Sequence, residues 1–312
     1  MLYFAAEWLV KGSSNLAQSL GVKKIVIGLT VVAFGTSAPE LVISIVSSIQ
    51  GKSMIAVGNV VGSNICNIAL ILGLSTLFQP ISCTKSLINR DIPIMLGISL
   101  FLVLLTLDSK LGRFDGATLV CGIILYVFLN YSFAMKKPGQ RAASEDSSQT
   151  GLEEIGDLKS KTSQIVLIIL GIVGVVAGAQ FVVDSAVKIM TVLGVSEKFV
   201  GLTIIAFGTS LPELATSVIA AVKKEMDISI GNLVGSNVFN IMSVLGASSL
   251  IKPIIIHGGF VHSGLLVDYM VMILTGLLPL LMMKKSGTLS RIDGVILLTC
   301  YAGYLFYLIA RQ

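Results

Sequence analysis

Apolar residues in this chain run in long blocks rather than alternating, and a membrane-crossing helix needs about 20 of them in succession. Ten such blocks are legible, at 1–20, 22–50, 54–79, 92–107, 114–135, 163–192, 195–223, 227–252, 264–283 and 292–310. Between the fifth and sixth lies one long polar stretch, 136–162, rich in Ser, Gly, Glu and Lys. Such a composition buries too little apolar surface to fold and reads as a solvated linker. The pattern predicts an all-α polytopic membrane protein of ten transmembrane helices. A first five-helix unit covers 1–135, the linker covers 136–162, and a second five-helix unit covers 163–312.

Composition agrees. Of the 312 residues 54% are apolar and 12% charged, whereas a soluble domain carries about 25% charged residues. So little charge cannot cover a globule in water, which argues against a soluble enzyme or a nucleic-acid binder despite the net charge of +5. The lipid bilayer is the expected partner. The four cysteines, Cys66, Cys83, Cys121 and Cys300, form no CxxC pair and read as small packing residues.

The two units are copies of one another. Shifted by 173 positions, 28–73 aligns with 201–246 without a gap, and 23 of those 46 positions are identical. GLTVVAFGTSAPEL answers GLTIIAFGTSLPEL, and GNVVGSNICNI answers GNLVGSNVFNI. A weaker echo pairs Arg113-Phe114-Asp115-Gly116 with Arg291-Ile292-Asp293-Gly294. The sixth block begins about 11 residues earlier than its mate in the first, so the natural chain is expected to start upstream of Met1 or the assigned start to be internal.

Five spans per unit force the second copy to insert upside down. Lys and Arg collect in cytoplasmic loops, and 14 of them fall on the linker's side against six on the other, with Lys11 and Lys188 inside helices. The linker is therefore expected in the cytoplasm, and both termini outside, in a multi-pass protein of the plasma or inner membrane.

The chemistry sits in the repeats. Each carries GTSxPE inside an apolar block, at 35–40 and at 208–213. Pro lacks an N–H, so Pro39 and Pro212 release the carbonyls of Gly35 and Gly208. Irregular backbone at membrane depth survives where it lines a cavity or is buried in protein. Glu40 and Glu213 cost at least ~2.5–3.5 kcal/mol each near the bilayer centre, and discontinuous helices of inverted repeats place ion sites there. Two such carboxylates cannot both stay ionised unless a cation or proton joins them. In the second motif Ser63 and Asn67, like Ser236 and Asn240, share a helical face, while the glycines suit close helix packing. Asn64 and Asn237 read equally well as ligands or as helix-to-helix hydrogen bonds. Two Glu with neutral Thr, Ser, Asn and carbonyl oxygens form a hard donor set suited to Ca²⁺ or Na⁺. The two histidines, His257 and His262, fall in an expected outer loop.

The paired GTSxPE and GNxxGSNxxN motifs resemble the α-repeats of the cation/Ca²⁺ exchanger superfamily, and most closely the prokaryotic sodium/calcium exchangers. The resemblance implies that the second, third, seventh and eighth helices surround the ions, and that Glu40 and Glu213 bind Ca²⁺ and Na⁺ alike. It further implies oxygen ligands from Thr36, Ser37, Thr209, Ser210, Ser63 and Ser236, and from the carbonyls of Ala33 and Ala206, with Asn67 and Asn240 closing the central site. Asn240 stands where some archaeal members carry Asp, which makes this site less acidic. The first and sixth helices would move against a fixed core. The activity implied is exchange of Ca²⁺ for Na⁺ by alternating access, with these ions as substrates and with no enzyme activity, cofactor, nucleic acid or obligate protein partner. The alternatives are a Ca²⁺/H⁺ antiporter on the same fold and, further off, an intramembrane hydrolase or a passive cation channel.

Overall fold

The computed structural model describes residues 1–135, 160–192, 206–256, 259 and 263–310. Its helices are α1 (Leu2–Ser19), α2 (Lys24–Thr36), α3 (Ala38–Ile49), α4 (Met54–Phe78), α5 (Leu87–Leu105) and α6 (Arg113–Met135) in the first unit. The second unit holds α7 (Lys161–Val192), α8 (Ala206–Gly208), α9 (Leu211–Val222), α10 (Met226–Ile251), α11 (Leu265–Ser286) and α12 (Arg291–Ala310). Among the described residues, seven helices are long and apolar enough to cross a membrane, and α2 with α3 makes an eighth span, bent by 44°. The remaining two expected segments are α1, 18 residues long, and the α8–α9 pair. Most of the linker, the beginning of the seventh segment, His257 and His262 lie outside the described residues.

The fifth helix corrects the sequence reading, which starts that span at 92. It begins at Leu87, because Arg90 and Asp91 form an ion pair at 2.8 Å and enter the helix as a neutral unit. The eleventh runs past 283 to Ser286, with Lys284 and Lys285 in its last turn, where cations complement the C-terminal end of the helix dipole.

Burial separates an inner pair of helices from an outer ring. The apolar stretch of α10 is 94% buried and that of α4 72%, against 28% for α6 and α7 and 17% for α12. The outer helices expose Phe114, Phe128, Phe181 and Phe306, an apolar belt that suits hydrocarbon and not water. Small residues let the inner helices touch backbone to backbone. A Cβ on Gly231 would lie 2.8 Å from the Ile25 carbonyl oxygen, and one on Gly235 2.6 Å from that of Leu29.

Two short antiparallel ladders clip the units together. β1 (Ile81–Ser82) pairs with β4 (Thr288–Leu289), and β2 (Lys110–Leu111) with β3 (Ile254–Ile255). The repeat relates β1 to β3 and β2 to β4, so a pseudo-two-fold axis maps one ladder onto the other. β1 and β2 flank the 19-residue α5, about 28 Å at 1.5 Å per residue, which puts the ladders at opposite ends of the bundle. The fold is thus a ten-segment membrane bundle of two inverted five-segment repeats.

Candidate functional site

Both repeats break at the same place. Ser37 (φ −81°, ψ 6°) and Ser210 (φ −86°, ψ 3°) leave helical geometry, and a new helix starts directly after each with Pro39 or Pro212 in its first turn. Proline is well placed there, since the first-turn N–H groups have no intrahelical partner. Glu40 and Glu213 follow it, still in the first turn, where the positive end of the helix dipole favours a carboxylate.

Both glutamates are completely buried and lie close enough to act on one another electrostatically. The Ser37 hydroxyl donates to Glu213 Oε1 at 3.2 Å. Glu40 Oε1, Glu40 Oε2 and Glu213 Oε2 have no hydrogen-bond donor among the described residues. Ser63 lies beside Glu40, and Thr36, Ser37 and Ser236 lie around Glu213. Also buried and without a donor are Asn67 Oδ1, Asn240 Oδ1, and the Ser63 and Ser210 hydroxyls. Buried polar atoms are ordinarily satisfied. A cluster of vacant acceptors around two carboxylates suits a cation, and Ca²⁺ takes 6–8 oxygen ligands.

Four asparagines frame this cluster in matching pairs. Asn67 Nδ2 donates to Asn237 Oδ1 at 3.0 Å, and Asn240 Nδ2 to Asn64 Oδ1 at 3.1 Å. Asn64 and Asn237 in turn donate to each other's main-chain carbonyls, at 3.2 and 3.4 Å. Of the two readings left open by sequence, Asn64 and Asn237 show the helix-to-helix one. Further along the same helices, Thr36 Oγ1 donates to Asn232 Oδ1 at 3.1 Å and Thr209 Oγ1 to Asn59 Oδ1 at 3.4 Å. Asn232 and Asn59 are anchored by donating to Ser217 and Ser44 hydroxyls, each at 3.0 Å. Sequence reasoning gave Asn59 and Asn232 no role. Their presence in both copies of the GN motif was the available signal.

Asn67 and Asn240 both sit in wide turns. Asn67 lies in a π-helical stretch, Cys66–Leu72, and Asn240 opens another, Asn240–Leu245; such turns recur at functional sites because they rotate the following side chains. The Ala33 carbonyl accepts the Ser37 N–H at 3.0 Å and lies 3.4 Å from Thr36 Oγ1, which leaves a second lone pair on that oxygen. In the other copy the Ser210 N–H bonds the Phe207 carbonyl at 3.1 Å.

The two ends of the site are unlike. On one side a cavity of about 380 Å³ is lined by Pro39, Ile43, Gln180, Asp184, Thr209 and Pro212, among others. It separates α7 from the start of α3. On the other side α1 packs against α9, with Ala5, Ala6 and Val175 meeting Ala215 and Ile219. There Glu225, 7% exposed, accepts from Ser14 Oγ at 2.9 Å and Lys24 Nζ at 2.8 Å, and Lys223 pairs with Glu7.

Comparison with known proteins follows the same lines. A family profile described as sodium/calcium exchanger protein matches residues 1–132 and 163–310. The chain is 34% identical to inner membrane protein YrbG of Escherichia coli, over 95% of this chain and 90% of that protein. It is 33% identical to the sodium/calcium exchanger MaX1 of Methanosarcina acetivorans, over 97% and 94%. Solved structures of the sodium–calcium exchanger NCX_Mj superpose with a TM-score of 0.82 at 32% identity, covering 97% of this chain and 93% of that one, in a structure soaked with Na⁺ and Ca²⁺. The chain belongs to the sodium/calcium exchanger family.

Proposed function

We propose that this protein exchanges Ca²⁺ for Na⁺ at one shared site built on Glu40 and Glu213, exposed alternately to the two sides of the membrane. The observation that carries the reading is the pair of buried carboxylates with three donor-free oxygens among neutral hydroxyl and amide oxygens. Together they supply about two negative charges. One Ca²⁺, or more than one Na⁺, neutralises that charge, and both loads at once would overfill it. Competition for the same oxygens makes transport an exchange. The empty, doubly charged site crosses poorly, because exposed charge in the barrier is expensive.

In this reading Thr36, Ser37, Ser63, Asn67 and their mates Thr209, Ser210, Ser236 and Asn240 supply neutral oxygens, joined by the carbonyls of Ala33 and Ala206. The repeat units are 1–135 and 163–312. Positive charge puts the linker and the Glu225 cluster in the cytoplasm and the termini outside, so the 380 Å³ cavity opens outward and the α1–α9 contact is the closed inner gate. Proton coupling is the second reading, since adjacent carboxylates can be neutralised by protons as well as by metal ions.

The deciding experiment is uptake of radiolabelled Ca²⁺ into Na⁺-loaded proteoliposomes. Sodium/calcium exchange requires uptake to depend on the outward Na⁺ gradient. Equal uptake under a pH gradient without Na⁺ transfers the reading to Ca²⁺/H⁺ antiport, and flux that ignores any opposing gradient marks a channel.

A further inference from the structure

We propose that Asn59, Asn64, Asn232 and Asn237 are positioning residues that aim the ion ligands of the opposite repeat. The inference rests on the shared-site reading above and concerns how that site is held in shape. Each of the four accepts a hydrogen from one ligand side chain, and in every case the ligand comes from the other half of the chain. Asn237 takes the amide hydrogen of Asn67, and Asn64 that of Asn240. Asn232 takes the hydroxyl hydrogen of Thr36, and Asn59 that of Thr209.

The chemical consequence is the same each time. An asparagine side chain offers an NH₂ on one side and a carbonyl oxygen on the other. Once its NH₂ is committed to an oxygen behind it, only the carbonyl can face forward. Asn67 Oδ1 and Asn240 Oδ1 are the atoms left buried without a donor. A threonine hydroxyl has one hydrogen, and spending it on an asparagine leaves only lone pairs for the site. Without the acceptor behind, the amide can turn its NH₂ toward the cation, replacing attraction by repulsion at an unchanged distance.

The acceptors are themselves fixed. Asn64 and Asn237 are pinned by donating to each other's main chain and toward the sulfurs of Met272 and Met95. Asn59 and Asn232 are pinned by Ser44 and Ser217. All four acceptors lie on α4 and α10, the two most buried helices. Ligand orientation in either repeat therefore depends on contact with the other, and neither half alone holds a correctly aimed site.

The test uses the full chain and two substitutions, Asn237→Leu and Asn67→Asp, alone and together. Leucine keeps the branched outline of asparagine and removes the acceptor. Aspartate at 67 presents an oxygen in either orientation, so it needs no aiming. Equilibrium binding of Ca²⁺ to purified protein is measured beside the maximal rate of exchange and the melting temperature in detergent. Asn237→Leu is expected to weaken Ca²⁺ binding tenfold or more, and adding Asn67→Asp is expected to recover at least half of that loss on a logarithmic scale. A melting temperature that falls equally in Asn237→Leu and in the double variant while binding recovers separates aiming from folding. Binding within threefold of wild type in Asn237→Leu, or a loss that Asn67→Asp does not recover, overturns the proposal. Wild-type protein that binds Ca²⁺ but does not couple it to Na⁺ would defeat the exchange reading and leave this one standing. Wild-type protein that binds no Ca²⁺ defeats both.

Discussion

Replacing Glu213 by Gln removes one charge from the site and almost no volume. Glu213 is fully buried, accepts one hydroxyl, and keeps Oε2 free. A divalent ion about 4 Å from a carboxylate gains roughly 8 kcal/mol at an effective dielectric constant near 20. Much of that repays desolvation of the two ions, and breaking a buried charge pair costs about 3–5 kcal/mol net. At about 1.4 kcal/mol per decade, the Ca²⁺ affinity should fall by roughly 10²–10³-fold or more. Removing one neutral oxygen, as in Ser210→Ala, should cost about 1 kcal/mol, some fivefold. Glu213→Gln should also raise the melting temperature of the ion-free protein, because Glu40 loses a like-charged neighbour, while shrinking the stabilisation that added Ca²⁺ provides. Radiolabelled Ca²⁺ uptake over a range of concentrations, paired with thermal melts with and without Ca²⁺, reads both. Uptake within threefold of wild type would refute the placing of Glu213 at the ion, whatever the melts show.

Three further outcomes follow from other parts of the molecule. Glu225→Gln weakens a pair whose Lys24 side chain is 43% exposed, so about 1–2 kcal/mol is at stake with the Ser14 hydrogen bond included; under the orientation proposed above, the α1–α9 side should open more often, seen as faster labelling from the cytoplasmic side of a cysteine placed at Ser13. Gly235→Ala puts a methyl 2.6 Å from the Leu29 carbonyl oxygen and should cost about 1–3 kcal/mol in thermal stability. Gly303→Ala, whose new methyl meets nothing within 4 Å, should leave the melting temperature unchanged or slightly raised.

The large features were legible because each is written in a long run of sequence or written twice. Ten blocks of apolar residues marked the spans, and the doubled Pro-Glu marked both helix breaks, which fall at Ser37 and Ser210, two residues before each proline. Boundaries were harder where a charge is neutralised in place: Arg90 and Asp91 look like a loop until their ion pair is seen. Glu225 falls in the short gap between the blocks at 195–223 and 227–252, and nothing local marks it, since its partners Ser14 and Lys24 are more than 200 positions away. The roles of Asn59, Asn64, Asn232 and Asn237 depend on which atom faces which across the two repeats, and spacing along one chain carries no such direction. The asymmetry between the cavity beside α7 and the tight α1–α9 seam was hidden for a related reason. The repeats are near-identical where they touch the site and diverge in α1 and α7, so the internal symmetry favours two equal ends.

The mutual hydrogen bonds of Asn64 and Asn237 to one another's backbone lie on the pseudo-two-fold axis, and contact of that kind is what a symmetric homodimer makes. The two halves therefore meet as two subunits would, through a self-complementary face. A covalent connection between two such halves raises their effective concentration for one another. A chain severed in the linker, with 1–135 and 163–312 made as separate polypeptides in one membrane, keeps every residue of the site and leaves its pairing contacts to form between two molecules, as in a heterodimer.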